Sequence, residues 1–183
     1  MQVQHRQLES MGTRLDMVFP GLETDVCDGL FKQLKSELDR MEGLLSIYRP
    51  DSEISILNNT AHAGTIELSQ EVFDLMLLAR QYHQDTQGYF DISMKAAGDF
   101  WKENQGDLQE VPGGIREKVG MHRLIFEKEG IRFRNKGLCI DPGGIGKGYA
   151  IKRLLPILET AGVDSALISF GESLVYGLGT HPY

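Results

Sequence analysis

The sequence predicts an α+β fold, a layered sandwich of mostly antiparallel sheet with packed helices. Two long segments carry apolar residues at the three- and four-residue spacing of amphipathic helices, and several short segments have the alternating or continuous apolar pattern of strands. Helices and strands do not alternate strictly, which favours this class over a doubly wound parallel sheet. The 183 residues suffice for one sizeable core, and we expect a single domain over residues 1–183.

Composition and charge argue against several functional classes. Hydrophobic residues make up 41% and charged residues 25% of the chain, as in ordinary globular proteins. The net charge of −7 argues against a nucleic acid bound through a basic surface. We expect no transmembrane segment, because no apolar run is long enough to span a bilayer. The N-terminus lacks the apolar segment of a signal peptide, so the sequence favours the cytoplasm, or the periplasm or a membrane anchor if a leader was removed.

The first half of the chain is predicted to contain one strand and two long helices. Polar and apolar residues alternate over Thr13–Phe19, the period of a half-buried strand. A helix begins at Thr24, and its apolar stripe comprises Val26, Leu30, Phe31, Leu34, Leu38, Met41 and Leu45. A second amphipathic helix is predicted over Ser69–Gln84, with Ser69 as its cap.

A turn at Pro50 displays one aromatic and one basic side chain. Pro50 favours an extended residue before it, and Asp51 or Ser52 can cap a short helix that follows. Tyr48 and Arg49 lie just before this turn, where they could stack on a ligand and pair with it. Taken alone, such residues are more often ordinary surface residues.

The second half is predicted to contain short strands and two helices. Gly88–Ser93 is interpreted as a turn and a short strand leading into a helix through Trp101, and Asn104–Lys118 as a surface loop. The other predicted strands are Leu124–Glu127, Ile131–Arg134, Leu138–Ile140, Ser165–Phe170 and Leu174–Tyr176, of which the first two form a hairpin. A helix after Gly144 should end near Gly162, with a kink or break at Pro156.

The segment whose residue types most clearly suggest ligand binding lies between Asp141 and Ile151, where four glycines surround Lys147. Glycines at a helix start allow close backbone approach, and the free N–H groups and helix dipole there favour an anion. A phosphate or pyrophosphate would suit this end. The segment is not a Walker loop, because no Ser or Thr follows Lys147, and it lacks the later acid of a dinucleotide fingerprint. A tight turn with a helix packed on a sheet is the alternative.

Four segments in register resemble the FAD:protein FMN transferase family. The matching segments are Met11-Gly12-Thr13, Ser46–Asn58, Gly88–Asp91 with Trp101, and Ile140–Ala150. The resemblance implies magnesium-dependent transfer of FMN from FAD to a Ser or Thr hydroxyl of an acceptor flavoprotein, with release of AMP. It assigns the cofactor-binding residues by position: Met11, Tyr48, Asp91, Asp141, Gly143, Gly146 and Lys147. Lys147 is the catalytic candidate and the carbonyl of Gly144 is the metal-ligand candidate.

Three departures from the family pattern leave other functions open. The chain is shorter than is usual for the family. The C-terminal third of family members, which has no counterpart in this sequence, carries the family's further magnesium ligands, an Asp and a Thr. Glu172 replaces the second glycine of a Gly-Gly-Asp segment, and Lys152 replaces an acid. The alternatives are a non-catalytic flavin-binding or structural relative and an FAD pyrophosphatase. A homo-oligomer is also left open.

Overall fold

A computed structural model of the protein describes residues 2–104, 112–128 and 130–180. The strands in these ranges are β1 (Val3–Ser10), β2 (Thr13–Pro20), β3 (Ile66–Glu67), β4 (Leu124–Phe126), β5 (Gly130–Phe133), β6 (Ala166–Phe170) and β7 (Leu174–Leu178). The α-helices are α1 (Thr24–Leu45), α2 (Glu53–Thr60), α3 (Gln70–Asp85), α4 (Lys95–Glu103), α5 (Gly113–Arg116) and α6 (Gly143–Thr160). The strand pairs are antiparallel, which confirms the predicted α+β class.

The chain divides into two compact units, one formed by Met1–Glu42 with Gly146–Tyr183 and the other by Gly43–Ile145. The first unit contains a four-stranded sheet in the order β1-β2-β6-β7. Buried residues of this sheet include Leu15, Met17, Phe19, Ile168 and Phe170. The alternation predicted for β2 is therefore confirmed, with its apolar residues on the buried face.

Helix α1 has the predicted length but a slightly different buried stripe. Its fully or nearly fully buried residues are Cys27, Leu30, Leu34, Leu38, Met41 and Leu45. Val26 is 49% exposed, so its predicted inward position is wrong. Cys27 lies seven residues before Leu34 and fourteen before Met41, within the buried stripe, whereas Val26 lies at the edge of that stripe.

The sequence predicts no strand before Thr13, but the structure has β1 there, paired with β2 along its whole length. Only Gln4 and Ser10 of β1 are buried, so this edge strand lacks the apolar alternation that identifies strands. The turn Met11-Gly12 joins the two strands, with φ of 50° and 72°. Positive φ at both central residues is typical of a type I′ hairpin turn.

The second unit combines α2 to α5 with a three-stranded sheet in the order β3-β5-β4. The hairpin of β4 and β5 was predicted, although Glu129 of its turn lies outside the described residues. The predicted caps are confirmed for α2, where Ser52 Oγ accepts from Ser55 N–H at 3.0 Å, and for α3, where Ser69 Oγ accepts from Val72 N–H at 3.4 Å.

Several local predictions are wrong. Gly88–Ser93 and Leu138–Ile140 form no strand in the described structure. Side chains bond the backbones of Phe90 and Ile140, and the Ile92 carbonyl accepts from Asp141 N–H. The predicted loop Asn104–Lys118 contains α5, while residues 105–111 lie outside the description. Helix α6 continues through Pro156, so a break there is wrong, while a kink stays a prediction. It ends as predicted, with Gly162 at φ 67° in a Schellman arrangement.

Candidate functional site

A cavity of about 350 Å³ lies in the second unit beside α4. The residues that line this α4 cavity are Tyr48, Asp91, Ile92, Met94, Lys95, Gly98, Asp99, Lys102, Asp141, Gly143 and Gly144. Five of the eight site residues predicted from the sequence are among them: Tyr48, Asp91, Asp141, Gly143 and Gly144. The structure therefore brings together residues that are as much as 96 positions apart in the chain.

Tyr48 projects into solvent at the α4 cavity, with 86% of its surface exposed. The turn that carries it is fixed by Ser46, whose Oγ accepts from the N–H groups of Tyr48 and Arg49, each at 3.2 Å. Arg49 pairs with Asp51 at 3.2 Å, and the pKa of Asp51 is lowered by this hydrogen bond. An ordered turn thus presents a ring whose faces remain available to a flat ligand.

Asp91 lines the α4 cavity but uses its carboxylate to join two loops. Its Oδ1 accepts from Ser93 N–H at 2.8 Å and from Ser93 Oγ at 2.6 Å, and its Oδ2 accepts from Met121 N–H at 3.0 Å. Ser93 Oγ in turn accepts from Gly120 N–H at 2.7 Å. These bonds tie the segment before α4 to the short 3₁₀ helix Met121–Arg123, as expected of a residue that orders the loops around a ligand.

The first turn of α6 forms another wall of the α4 cavity, and its geometry explains two glycines. Asp141 Oδ1 accepts from Gly143 N–H at 2.8 Å, and a Cβ at Gly143 would lie 3.0 Å from that same oxygen. A Cβ at Gly144 would lie 3.3 Å from Phe90 Cε2. Because α6 begins here, the positive end of its dipole lies at the cavity wall.

Helix α4 contributes lining residues that the sequence did not single out. Lys95 Nζ bonds both carboxylate oxygens of Asp99, at 2.7 and 3.0 Å, and this contact raises the pKa of Lys95. Lys102 forms no ion pair with any described residue. Lys95, Asp99 and Lys102 follow one another at spacings of four and three, so one helix face carries them all. That spacing is common to exposed amphipathic helices, so it did not single out this wall in the sequence.

The remaining predicted site residues belong to the first unit. Lys147 lies on α6, and its Nζ donates to Ser173 Oγ at 2.9 Å. The N–H of Met11, in the β1–β2 turn, donates to Glu42 Oε2 at 3.0 Å. Gly146 is buried in the first turns of α6. Contact of Met11, Gly146 or Lys147 with a flavin stays a prediction.

The magnesium site also stays a prediction. No group of three or more His, Cys, Asp or Glu side chains suited to holding a metal ion occurs among residues 2–104, 112–128 and 130–180. Gly144 lies in the first turn of α6, where carbonyl groups ordinarily accept from the N–H four residues later. The described residues therefore do not provide a complete metal site by themselves. None of the described helices has the length and apolar character needed to cross a membrane.

Comparison with known proteins identifies the family to which this fold belongs. Residues 11–183 match the model of the ApbE family. The chain belongs to the ApbE family, which confirms the expected family resemblance. It is 24% identical over 176 residues to the FAD:protein FMN transferase of Escherichia coli (strain K12), a match that covers 91% of this chain and 50% of that protein.

Solved structures show the same fold. The ApbE protein from Thermotoga maritima superposes with a TM-score of 0.83 at 20% identity, covering 98% of this chain and 60% of that one. The flavin transferase ApbE from Vibrio cholerae gives a TM-score of 0.79 at 20% identity, with coverage of 93% and 57%. The chain spans about half the length of the curated relatives that it matches.

Proposed function

We propose that this chain binds FAD at the α4 cavity and takes part in magnesium-dependent transfer of FMN to a Ser or Thr hydroxyl of an acceptor flavoprotein, with release of AMP. The observation that carries the proposal is the convergence of Tyr48, Asp91, Asp141, Gly143 and Gly144 on one cavity. The name shared by the curated relatives, FAD:protein FMN transferase, supports the transfer of FMN from FAD to a protein.

The walls of the α4 cavity suit the parts of a flavin nucleotide. The exposed ring of Tyr48 offers a face on which the flat isoalloxazine can stack. Gly143 and Gly144 have no side chains to hold a ligand away, and they lie at the helix end that attracts phosphate. Lys102 adds a cation on the same cavity wall. Aromatic, glycine and lysine residues together favour an aromatic anion over a neutral metabolite.

The net charge of the α4 cavity lining favours a flavin nucleotide that binds together with a cation. The cavity lining holds two lysines, Lys95 and Lys102, against three aspartates, Asp91, Asp99 and Asp141, which gives a net charge of −1. The helix start and Lys102 attract an anion locally, and a positive ion bound with a pyrophosphate would offset the remaining charge of the three aspartates. Magnesium would supply that charge when bound. No step of the reaction is assigned through it, since the described residues do not complete a metal site.

The proposed transfer is a phosphoryl substitution. The acceptor hydroxyl oxygen forms a bond to the phosphorus of the FMN half, and the bond from that phosphorus to the oxygen of AMP breaks. AMP leaves with the electron pair, and the hydroxyl proton is released. Positioning and charge stabilisation dominate such reactions. Lys147 is the proposed stabilising cation, because its ammonium donates to the neutral Ser173 hydroxyl and forms no ion pair with any residue that the structure describes.

Flavin binding can be tested by filling the α4 cavity without disturbing the fold. Gly98 lies in α4 on the cavity lining, and a Cβ there would meet no protein atom within 4 Å. Gly98→Leu should therefore fold, and it should abolish the quenching of FMN fluorescence that we expect on titration with the wild-type chain. The matched control is Gly29→Leu, a helical and exposed glycine of α1 with equally open surroundings. Equal FMN binding by both variants would contradict binding at this cavity.

The transfer itself is tested by incubating the chain with FAD, magnesium and a peptide that contains the acceptor Thr. We expect AMP release and a peptide mass increase of one FMN, both lost in Lys147→Ala. Free FMN without a change in peptide mass would instead identify an FAD pyrophosphatase. FMN binding without AMP release would identify a non-catalytic flavin-binding relative.

A further inference from the structure

A histidine outside the predicted site bonds the loop that forms one wall of the α4 cavity. His83 lies in the last turn of α3, and its Nδ1 is 2.9 Å from the carbonyl oxygen of Phe90. A carbonyl can only accept, so Nδ1 carries the hydrogen and this contact determines the tautomer. The same Nδ1 lies 3.6 Å from Asp91 Oδ2.

Phe90 and Asp91, the two residues that His83 Nδ1 contacts, form different parts of the cavity wall. Asp91 lines the α4 cavity and bonds Ser93 and Met121 through its carboxylate. The ring of Phe90 lies beneath the first turn of α6, 3.3 Å from the position that a Cβ at Gly144 would occupy. A displacement of the Phe90–Asp91 backbone would therefore move both the Asp91 carboxylate in the cavity lining and the Phe90 ring that packs against the first turn of α6.

The loop at Phe90 depends on side chains of the α3 end for its backbone bonds. Thr86 Oγ1 accepts from Phe90 N–H at 2.9 Å, and His83 donates to the Phe90 carbonyl. The rings of Tyr82 and Phe90 also meet edge to face, with centroids 6.0 Å apart. No strand passes through residues 88–94 of the described structure to fix them by a ladder. The hydrogen bond from His83 therefore acts together with those of Thr86, the Asp91 carboxylate and the Ile92 carbonyl in holding this wall.

From this geometry we propose that His83 is a positioning residue of the flavin site: its Nδ1–H holds Phe90, and through Phe90 and Asp91 it keeps the wall of the α4 cavity in its binding conformation. The inference rests on the proposed function for the identity of the ligand. When a binding-competent conformation is only partly populated, the apparent affinity falls by that fraction. Loss of the His83 hydrogen bond should therefore weaken flavin binding without removing any ligand contact.

The test compares three substitutions of His83 that keep, move or remove the hydrogen-bond donor. His83→Asn places an amide nitrogen where Nδ1 stands, whereas His83→Gln places its amide near Nε2 and His83→Leu has no donor. We expect FMN affinity close to wild type for His83→Asn. His83→Gln and His83→Leu should weaken it roughly fivefold to tenfold, the effect of one hydrogen bond. His62→Leu is the control, because His62 is exposed and makes no hydrogen bond to a described residue.

Amide hydrogen exchange provides a readout that does not need flavin. The N–H groups of Ser93 and Met121 donate to Asp91, so both should exchange faster in His83→Leu and keep wild-type rates in His83→Asn and His62→Leu. Unchanged exchange in His83→Leu, or equal FMN affinity in the Asn and Leu variants, would overturn the positioning role. Failure of the wild-type chain to bind FMN would count against the proposed function, and exchange would still decide whether His83 holds the wall.

Discussion

Asn58 holds the backbone of Ile140 through both ends of its side-chain amide. Its Oδ1 accepts from Ile140 N–H at 2.8 Å and its Nδ2 donates to the Ile140 carbonyl at 2.9 Å. The amide thus replaces the neighbouring strand that the sequence predicted for this segment. The next residue, Asp141, is bonded through its N–H to the Ile92 carbonyl at 2.7 Å. Two segments of the family pattern are therefore joined directly, at the entrance to the glycine-rich turn.

Asn58→Ala should destabilise the chain and disorder the start of α6. Ile140 is fully buried, so its N–H and carbonyl would lose partners that water cannot easily replace, at a cost of about 2–3 kcal/mol in the free energy of unfolding. Urea unfolding followed by circular dichroism measures the loss. Asn59→Ala is the control, since Asn59 is the exposed neighbour on α2. Equal stability of the two variants would show that the paired amide bonds contribute little.

Glu172→Gly should stabilise the chain. Glu172 has φ of 57° in the β6–β7 turn, a left-handed conformation that costs an L-residue about 1 kcal/mol and glycine almost nothing. The strain explains why a glycine suits this position in the Gly-Gly-Asp pattern. Glu172→Ala removes the same charge but keeps the Cβ, so it should give no comparable gain. An increase in unfolding midpoint for the Ala variant as large as that for the Gly variant would contradict the backbone explanation.

The parts of this fold that the sequence predicts well are those with local patterns. Helices α1 and α3 and strand β2 follow from apolar spacing, because each buries one face along its own length. The caps Ser52 and Ser69 follow from residue type. Strand β1 has no such signal, since its pairing with β2 depends on the Met11-Gly12 turn rather than on apolar alternation.

The candidate site was predicted partly from residue type and spacing and partly from the family resemblance. The glycine-rich turn was found from residue type and spacing, and Tyr48, Asp91 and Asp141 were assigned by the family resemblance. Gly98, Asp99 and Lys102 lie on an amphipathic helix that resembles any exposed helix. The bonds of Asn58 and His83 depend on partners brought near by folding, in the first case 82 residues away along the chain. No local pattern in the sequence encodes such contacts.

Met11→Gly should raise stability and lower flavin affinity. The φ of Met11 is 50°, which glycine adopts with about 1 kcal/mol less strain. The same substitution removes the side chain that is predicted to face the flavin. Strain retained at a ligand contact is a recognised feature of functional sites. Urea unfolding and FMN fluorescence titration measure the two effects separately.

The neighbouring glycine provides the opposite control. Gly12→Ala introduces a Cβ at φ 72° with no protein atom within 4 Å, so it should destabilise the turn by about 1 kcal/mol through backbone strain alone. FMN affinity of the folded Gly12→Ala chain should stay close to that of the wild type. Unchanged FMN affinity in Met11→Gly would remove Met11 from the flavin site while leaving the stability prediction intact.

Glu37 should make the stability of the chain depend on pH in the acidic range. Its carboxylate bonds Arg40 at 2.8 Å on the same helix and Arg153 of α6 at 3.3 Å. The hydrogen bond from Arg40 is the largest cause of the lowered pKa of Glu37, and Arg153 adds to it. Because the folded-state pKa lies below the ordinary value of 4.5, the stabilisation is fully present above that value and is lost as pH falls through the folded-state pKa.

Glu37→Gln should therefore reduce the free energy of unfolding at pH 7, by less than about 1 kcal/mol for a pair at the surface. The difference from wild type should shrink as pH falls below 4.5, where the wild-type carboxylate is also neutralised. Urea unfolding at a series of pH values measures this difference. Glu67→Gln is the control, because Glu67 is an exposed carboxylate without an ion pair to a described residue. A difference between Glu37→Gln and wild type that stayed constant from pH 7 to pH 3 would show that lost packing, rather than the ionised carboxylate, causes the effect.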